Sequence, residues 1–394
     1  GFRAATSVTR ADATGTASPT TRTASPTTRA PWSTLAPAEE IGFGVYVHIP
    51  FCRHKCDYCA FATFTDRAHL VERYLAALRV EIERAAAQLP AASTIFVGGG
   101  TPSLVDPQAL VAVLDAIPRR DDAELTIECN PDDVTVEMLR TFRSIGVNRI
   151  SLGMQSSREH VLLSLGRTHT PANVRRAVEA IAEAGIDNFN VDVIYGGAGE
   201  SLDDWSVTID SVITLGAPHV SAYGLTVENG TALAEQPDRH PDDDDQADKY
   251  DLADDALAAS GRLNYEISNW ALPGRECRHN AVYWSGGDYA GFGSAAHAHR
   301  DGRRSWNVRT PDRYIELIES GESAESSHES LDARTRKLER LQLQLRTRDG
   351  VPLDALSDED RSELSELVQP RGDRLVLTRA GRLLANEVSL RLRA

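Results

Sequence analysis

Three cysteines, Cys52, Cys56 and Cys59, stand in VHIPFCRHKCDYCAF directly after the apolar run Val45 to Ile49. No other stretch constrains the chain as tightly. Thiolates separated by three and then two residues can all point inward from one compact loop and hold an iron–sulfur cluster. Three protein ligands on a four-iron cubane leave one iron open to a small chelating molecule, as a four-cysteine ferredoxin site does not. The alternatives are a zinc loop or three separate core thiols. Zinc knuckles favour paired CxxC ligands with a fourth Cys or His at matching spacing, so the cluster is the preferred reading. His54, inside the loop, reads as a solvated side chain.

The 394 residues are enough for one large domain and a smaller one. A net charge of −16 argues against nucleic acid or an anionic membrane as the main partner, because both would be repelled. Of five cysteines, the two outside the loop, Cys129 and Cys277, read as ordinary thiols, and a reducing cytoplasm fits better than a disulfide framework. No stretch approaches the roughly 18 apolar residues that cross a bilayer. Residues 1–40 are rich in Thr, Ala, Ser and Pro and carry TASPTTR twice in tandem, a composition expected to stay disordered as a low-complexity leader.

From Val45 onward a unit recurs: a short β-rich run, a polar loop, an amphipathic helix, often a glycine, and the next run. The strand candidates are residues 45–49, 94–98, 125–129, 149–153, 189–194 and 219–225. Tyr74, Leu75, Leu78 and Ile82 share one helical face. Gly146, Gly185 and Gly216 each stand where a helix should end in a left-handed cap. Ser201 with Asp204 suits a helix start. Apolar strands alternating with helices predict an α/β fold, a (β/α)6 partial barrel over residues 41–230, with chemistry at the C-terminal ends of its strands. Polar residues stand there: GGGTPS from Gly98, then Glu128, Gln155, Arg167 and Asp192, the last in the otherwise apolar FNVDVIYGG. Each alone could be a satisfied core group. Together they favour a polar ligand.

The cysteine spacing resembles the radical S-adenosylmethionine (SAM) superfamily. The ordered set HIPFCRHKCDYCAF, GGGTPS, IECNP, GMQS, LGRTH, YEISNWA, CRHNAVYW and GFGSAAHA resembles the oxygen-independent coproporphyrinogen III oxidase-like family, most closely its heme chaperone branch. That resemblance implies a [4Fe-4S] cluster on Cys52, Cys56 and Cys59, whose free iron takes SAM. It also implies SAM contacts from Tyr46, Gly99, Gly100, Thr101, Glu128, Gln155, Arg167 and Asp192. In HNxxYW it implies heme contacts from His279, Asn280, Tyr283 and Trp284, with His279 as axial ligand and Cys277 as runner-up. Heme would pass to an acceptor hemoprotein, one of the respiratory chain. The alternative within the family is the oxidase of porphyrin biosynthesis, in which a 5'-deoxyadenosyl radical attacks coproporphyrinogen III. Phe61 stands where that oxidase has a further cysteine, and only the leader precedes the loop, which favours the chaperone.

Three departures from the family pattern stand out. Tyr195-Gly-Gly-Ala-Gly-Glu200 replaces YGLPGQ, Ser294-Ala-Ala-His297-Ala298 falls within a segment usually GxGPGAHG, and Gln344 replaces a Gly. Beyond the barrel, residues 231–305 are expected to form a linker helix and a β extension bearing HNxxYW. The Asp-rich run from Asp242 to Asp255 reads as the solvated start and outer face of that helix. From residue 306 the chain is expected to be helical, with a short ribbon at Arg374 to Thr378 and a winged-helix-like lobe over 306–394. The acidic balance makes that lobe a cover or docking surface rather than a DNA reader.

Overall fold

The computed structural model describes residues 42–393, so the leader lies outside the described residues. Strands β1 (Gly44–Ile49), β2 (Ala92–Gly99), β3 (Arg119–Cys129), β4 (Arg149–Gln155), β5 (Phe189–Tyr195) and β6 (His219–Gly224) lie side by side in chain order, each parallel to the next. Such strands are buried on both faces, which is why Val45, Val47 and Ile49, or Val191 and Val193, are fully enclosed rather than alternating with water. The α/β fold expected from the sequence, six parallel strands alternating with helices, is the one observed.

The helices follow from their apolar stripes and caps. Tyr74, Leu75, Leu78 and Ile82 are the buried face of the helix Val71–Ala86. Ser201 and Asp204 form a reciprocal capping box at the start of Leu202–Thr214. Gly146, Gly185 and Gly216 all have positive φ, the backbone state that ends a helix and turns it into the next strand.

The sheet does not stop at six strands. β7 (Leu263–Glu266) and β8 (Asn269–Ala271) extend it antiparallel beyond β6. On the other edge β9 (Tyr289–Phe292) runs parallel to β1, and β10 (His297–Arg300), β11 (Arg303–Asn307) and β12 (Glu325–Ser330) continue antiparallel, giving twelve strands among the described residues. β12 lies in the segment expected to be helical. Its residues, ESSHES, are almost all exposed and carry no apolar rhythm, so only pairing with β11 makes them a strand.

The C-terminal lobe has its own core of Leu345, Val351, Leu364, Leu375, Leu377 and Val388. Its three-stranded sheet, β13 (Val351–Pro352), β14 (Val368–Arg371) and β15 (Arg374–Leu377), contains the expected ribbon. The Asp-rich helix Asp243–Ala259 joins this lobe to the sheet in a way its composition concealed. Asp242 caps the helix as a solvated acid, but Asp254 is buried, accepting hydrogen bonds from Trp270 Nε1 at 2.8 Å, Arg379 Nε at 2.9 Å and Arg382 Nη2 at 2.6 Å. An acid among solvated neighbours is thus the anchor between lobes. Asp254→Ala leaves a buried indole N–H and two guanidiniums without their acceptor, and should lower stability by about 3 kcal/mol in urea unfolding. Asp243→Ala, on the solvated turn, should change it by less than about 0.5 kcal/mol. Equal effects would remove the anchor assignment.

Candidate cofactor site

The cysteine loop is closed at its neck. Phe64 N donates to Pro50 O at 2.8 Å and Cys52 N to Phe64 O at 3.2 Å, so residues 52–63 form a lobe at the end of β1. That neck is seated on the glycine triplet. Gly100 N donates to Ile49 O and Thr101 N to Phe51 O, each at 2.8 Å. A Cβ on Gly100 would stand 2.6 Å from Phe51 O, and one on Gly99, at φ +108°, 2.4 Å from the His48 ring. The glycines are therefore needed for the backbone to meet the loop at all.

Each of two thiols has a donor. Thr101 Oγ1 donates to Cys52 Sγ at 3.4 Å, and Arg167 Nη1 reaches Cys56 Sγ at 3.7 Å. Burial, reinforced by repulsion among the sulfurs, holds the Cys52 and Cys59 thiols above their ordinary range. A coordinated cation reverses this and deprotonates a thiol outright. Among the described residues no three His, Cys, Asp or Glu side chains are drawn together onto one ion position, as a structural zinc requires. A cubane takes each thiolate on a different iron, so three cysteines on one loop, two of them with donors to sulfur, fit a cluster.

Around the mouth, backbone and side chains are held by a buried polar network. Glu128 accepts from Gly99 N at 3.1 Å. Its carboxyl is pushed up to about 8 by burial and by the nearby Asp192. Asp192 accepts from Ser151 Oγ at 2.9 Å and Asn190 Nδ2 at 2.7 Å, and burial raises it too. Two buried carboxyls close enough to raise one another favour a ligand that brings a cation or hydroxyl donors. Gln155 sits at φ +62° where the β4–β5 ladder is interrupted, an uncommon conformation for a residue other than glycine. Arg167 donates to Gly153 O at 3.0 Å and to His169 Nδ1 at 3.4 Å. His169 Nε2 in turn donates to Met154 O at 2.8 Å, and burial together with Arg167 keeps this imidazole neutral, lowered to about 4. On β1, Tyr46 OH donates to His48 Nδ1 at 2.9 Å and His48 Nε2 to Ala62 O at 3.0 Å, tying the barrel interior to the cysteine loop.

The CRHNAVYW segment forms the helix Arg278–Trp284 behind β2. His279 is 1% exposed, stacked on Phe96, with Nδ1 bonded to Thr94 Oγ1 at 2.9 Å and Nε2 to Tyr283 OH at 2.8 Å. Both ring nitrogens are committed within the protein. Cys277 is enclosed, its thiol pushed up to about 12 by burial. Asn280, Tyr283 and Trp284 are half-buried, and Tyr283 alone of the motif reaches the wall of the large cavity beside the barrel mouth.

Residues 46–212 match the Radical SAM superfamily. The chain is 44% identical to the heme chaperone HemW of Mycobacterium tuberculosis, covering 90% of this chain and 95% of that one. It is 35% identical to HemW of Bacillus subtilis, covering 87% and 97%. The chain belongs to the HemW family. Among solved structures, coproporphyrinogen III oxidase (HemN) from Escherichia coli superposes with a TM-score of 0.78 over 90% of this chain and 92% of that one, at 21% identity, a likeness of fold.

As a member of the HemW family and the radical SAM superfamily, the chain is implied to hold a [4Fe-4S] cluster and SAM. His48, Ser151, His169 and Asn190 support the site residues, yet no sequence signal marks them for that role. His169 stands in LGRTH, but nothing in that motif shows that its ring braces Arg167. The loop at Gly196–Glu200, where the family has a proline, is fixed instead by Glu200. That carboxylate accepts from Gly196 N at 2.7 Å and lies 3.4 Å from the fully buried Lys249.

The raised Glu128 carboxyl has a measurable consequence. Because its folded value exceeds the ordinary carboxylate value of 4.5, the folded state loses stability as pH rises from there through about 8. In cluster-free protein, Glu128→Gln should melt with the parent near pH 4 and increasingly above it toward pH 9. A difference independent of pH would rule out this assignment.

Proposed function

We propose that the protein is a heme chaperone built on a radical SAM scaffold, which binds heme and delivers it to an acceptor hemoprotein of the respiratory chain. The observation that carries this reading is the near-complete match to relatives named heme chaperone HemW, with Tyr283 of the HNxxYW segment on the wall of a large cavity beside the barrel mouth. Cys52, Cys56 and Cys59 would hold the cluster. Tyr46, Gly99, Gly100, Thr101, Glu128, Gln155, Arg167 and Asp192 would line the SAM site. When bound, the cluster supplies an electron to the sulfonium of SAM. The chain's own part is positional: Thr101 and Arg167 hold donors on the Cys52 and Cys56 sulfurs, His169 braces Arg167, and Ser151 with Asn190 fixes Asp192.

The second reading, oxidative decarboxylation of coproporphyrinogen III, is favoured by the likeness in fold to HemN and by Tyr46 on the cavity wall. Anaerobic incubation of reconstituted protein with reductant, SAM and coproporphyrinogen III separates the two. The chaperone forms no protoporphyrinogen IX at a catalytic rate, and its formation would overturn the first reading.

Changing Cys52, Cys56 or Cys59 to Ser should abolish the broad visible absorption of reconstituted protein, whereas Cys129→Ser, at a buried thiol in the core, should keep it. Loss in the Cys129 variant would make the ligand set wrong. Asp192→Ala should weaken SAM binding to the cluster-loaded protein by about ten-fold, the loss of one charge-assisted contact. Unchanged affinity by calorimetry would return Asp192 to a purely structural role.

A further inference from the structure

The cavity beside the barrel mouth has a volume of about 1010 Å³. That is the upper end of the range for small-ligand sites, roughly 300–1,000 Å³. Its walls differ in chemistry. One is aromatic: Phe61, on the cysteine loop, is 66% exposed, and Tyr283 and Tyr289 meet edge to face at 4.7 Å. A phenyl ring left that exposed beside two tyrosines marks a surface suited to an apolar plate.

The other wall is net basic, with four arginines against Asp288, Asp301 and Glu339. Arg309 follows β11, and Arg336 and Arg340 lie on the helix Ala333–Leu345 of the C-terminal lobe. Among the described residues none of the three has a carboxylate within ion-pair distance, whereas Arg304 on the same wall is held by Glu329 at 3.2 Å and Glu339 at 2.6 Å. The chain has 58 Asp and Glu against 42 Lys and Arg. Three arginines without an acid partner, gathered on one cavity of so acidic a protein, point to an anionic ligand.

At the start of β10, between these walls, stands His297. It is exposed, stacked on Trp306 at 5.8 Å, and its ring nitrogens have no hydrogen-bond partner among the described residues. His299, two residues on, is tied through Nδ1 to Gly287 O at 3.0 Å. His279, enclosed and bonded at both ring nitrogens, would have to give up one of those hydrogen bonds and leave its buried seat to reach a metal. Free imidazole nitrogen, aromatic plate and unpaired guanidiniums together match an iron porphyrin with acidic side chains.

We propose that this cavity is the heme site, with His297 as axial ligand, Phe61, Tyr283 and Tyr289 covering the macrocycle, and Arg309, Arg336 and Arg340 binding the propionates. The proposal rests on the heme chaperone reading. It moves the iron ligand out of HNxxYW, whose His279 becomes the residue that orients Tyr283, and it makes the C-terminal lobe a wall of the site.

The test is hemin titration into the cluster-loaded full chain, followed by the Soret band. The parent should bind about one heme per chain. His297→Ala should shift the band, and added imidazole should restore it, a rescue that a structural role would not give. Changing Arg309, Arg336 and Arg340 together to Ala should weaken binding at least ten-fold, and should abolish the parent's preference for hemin over its propionate diester. All four side chains are exposed, so these variants should retain the fold and the iron–sulfur absorption. If His297→Ala leaves the Soret band unchanged while a folded His279→Ala shifts it, the heme reading stands and this placement falls. If the parent binds no heme stoichiometrically, both fall.

Discussion

The contact on which the site depends is backbone on backbone: the end of β1 and the neck of the cysteine loop lying against the glycine triplet that closes β2. Gly100 N to Ile49 O and Thr101 N to Phe51 O form only because no Cβ stands in the 2.6 Å between the Gly100 position and Phe51 O. Parallel pairing of β1 with β2 brings these groups to the same height, with Ile49 opposite Gly99. The loop is thus positioned by sheet register, and Thr101, the next residue along, gains its donor contact with Cys52 from the same register. Function and packing are not separable here: a glycine needed for close approach is also one expected to face a ligand.

A second constraint runs through charge. The barrel mouth keeps Glu128 and Asp192 close together, and among the described residues no cation pairs directly with Glu128, which is left with one backbone N–H as its donor. Such an arrangement disfavours the ligand-free folded state at high pH and favours binding of a molecule that carries positive charge and hydroxyls. The same economy appears at the lobe junction in reverse. There Asp254 is fully satisfied by Trp270, Arg379 and Arg382, and its role is to fix the C-terminal lobe against the sheet.

The departures from the family pattern become intelligible in the same terms. Ala295 occupies a left-handed conformation, φ +58°, where the family pattern has Gly, so this chain bears a strain of the order of 1 kcal/mol that the usual residue avoids. The loop that lacks its proline is pinned by Glu200 and Lys249 instead. Neither change disturbs a cysteine or its donor.

What the sequence determined by itself is what short-range rules govern. The six parallel strands, the helix face of Tyr74, Leu75, Leu78 and Ile82, the glycine caps and the cysteine loop follow from periodicity, capping and ligand spacing, all of which act over a few residues. That Glu128 and Asp192 stand out as polar side chains in apolar strands was legible too, because such a group is costly to bury unless it meets a ligand or a polar partner. Tertiary structure decided whatever depends on pairing between distant segments. ESSHES became β12 because β11 offered an edge, Asp254 became an anchor because Trp270 and two arginines of the helix Arg379–Leu383 converge on it, and His279 lost its free nitrogens to Thr94 and Tyr283. Hydrogen bonds and burial are properties of neighbours in space, and no local pattern records which neighbours a side chain will meet.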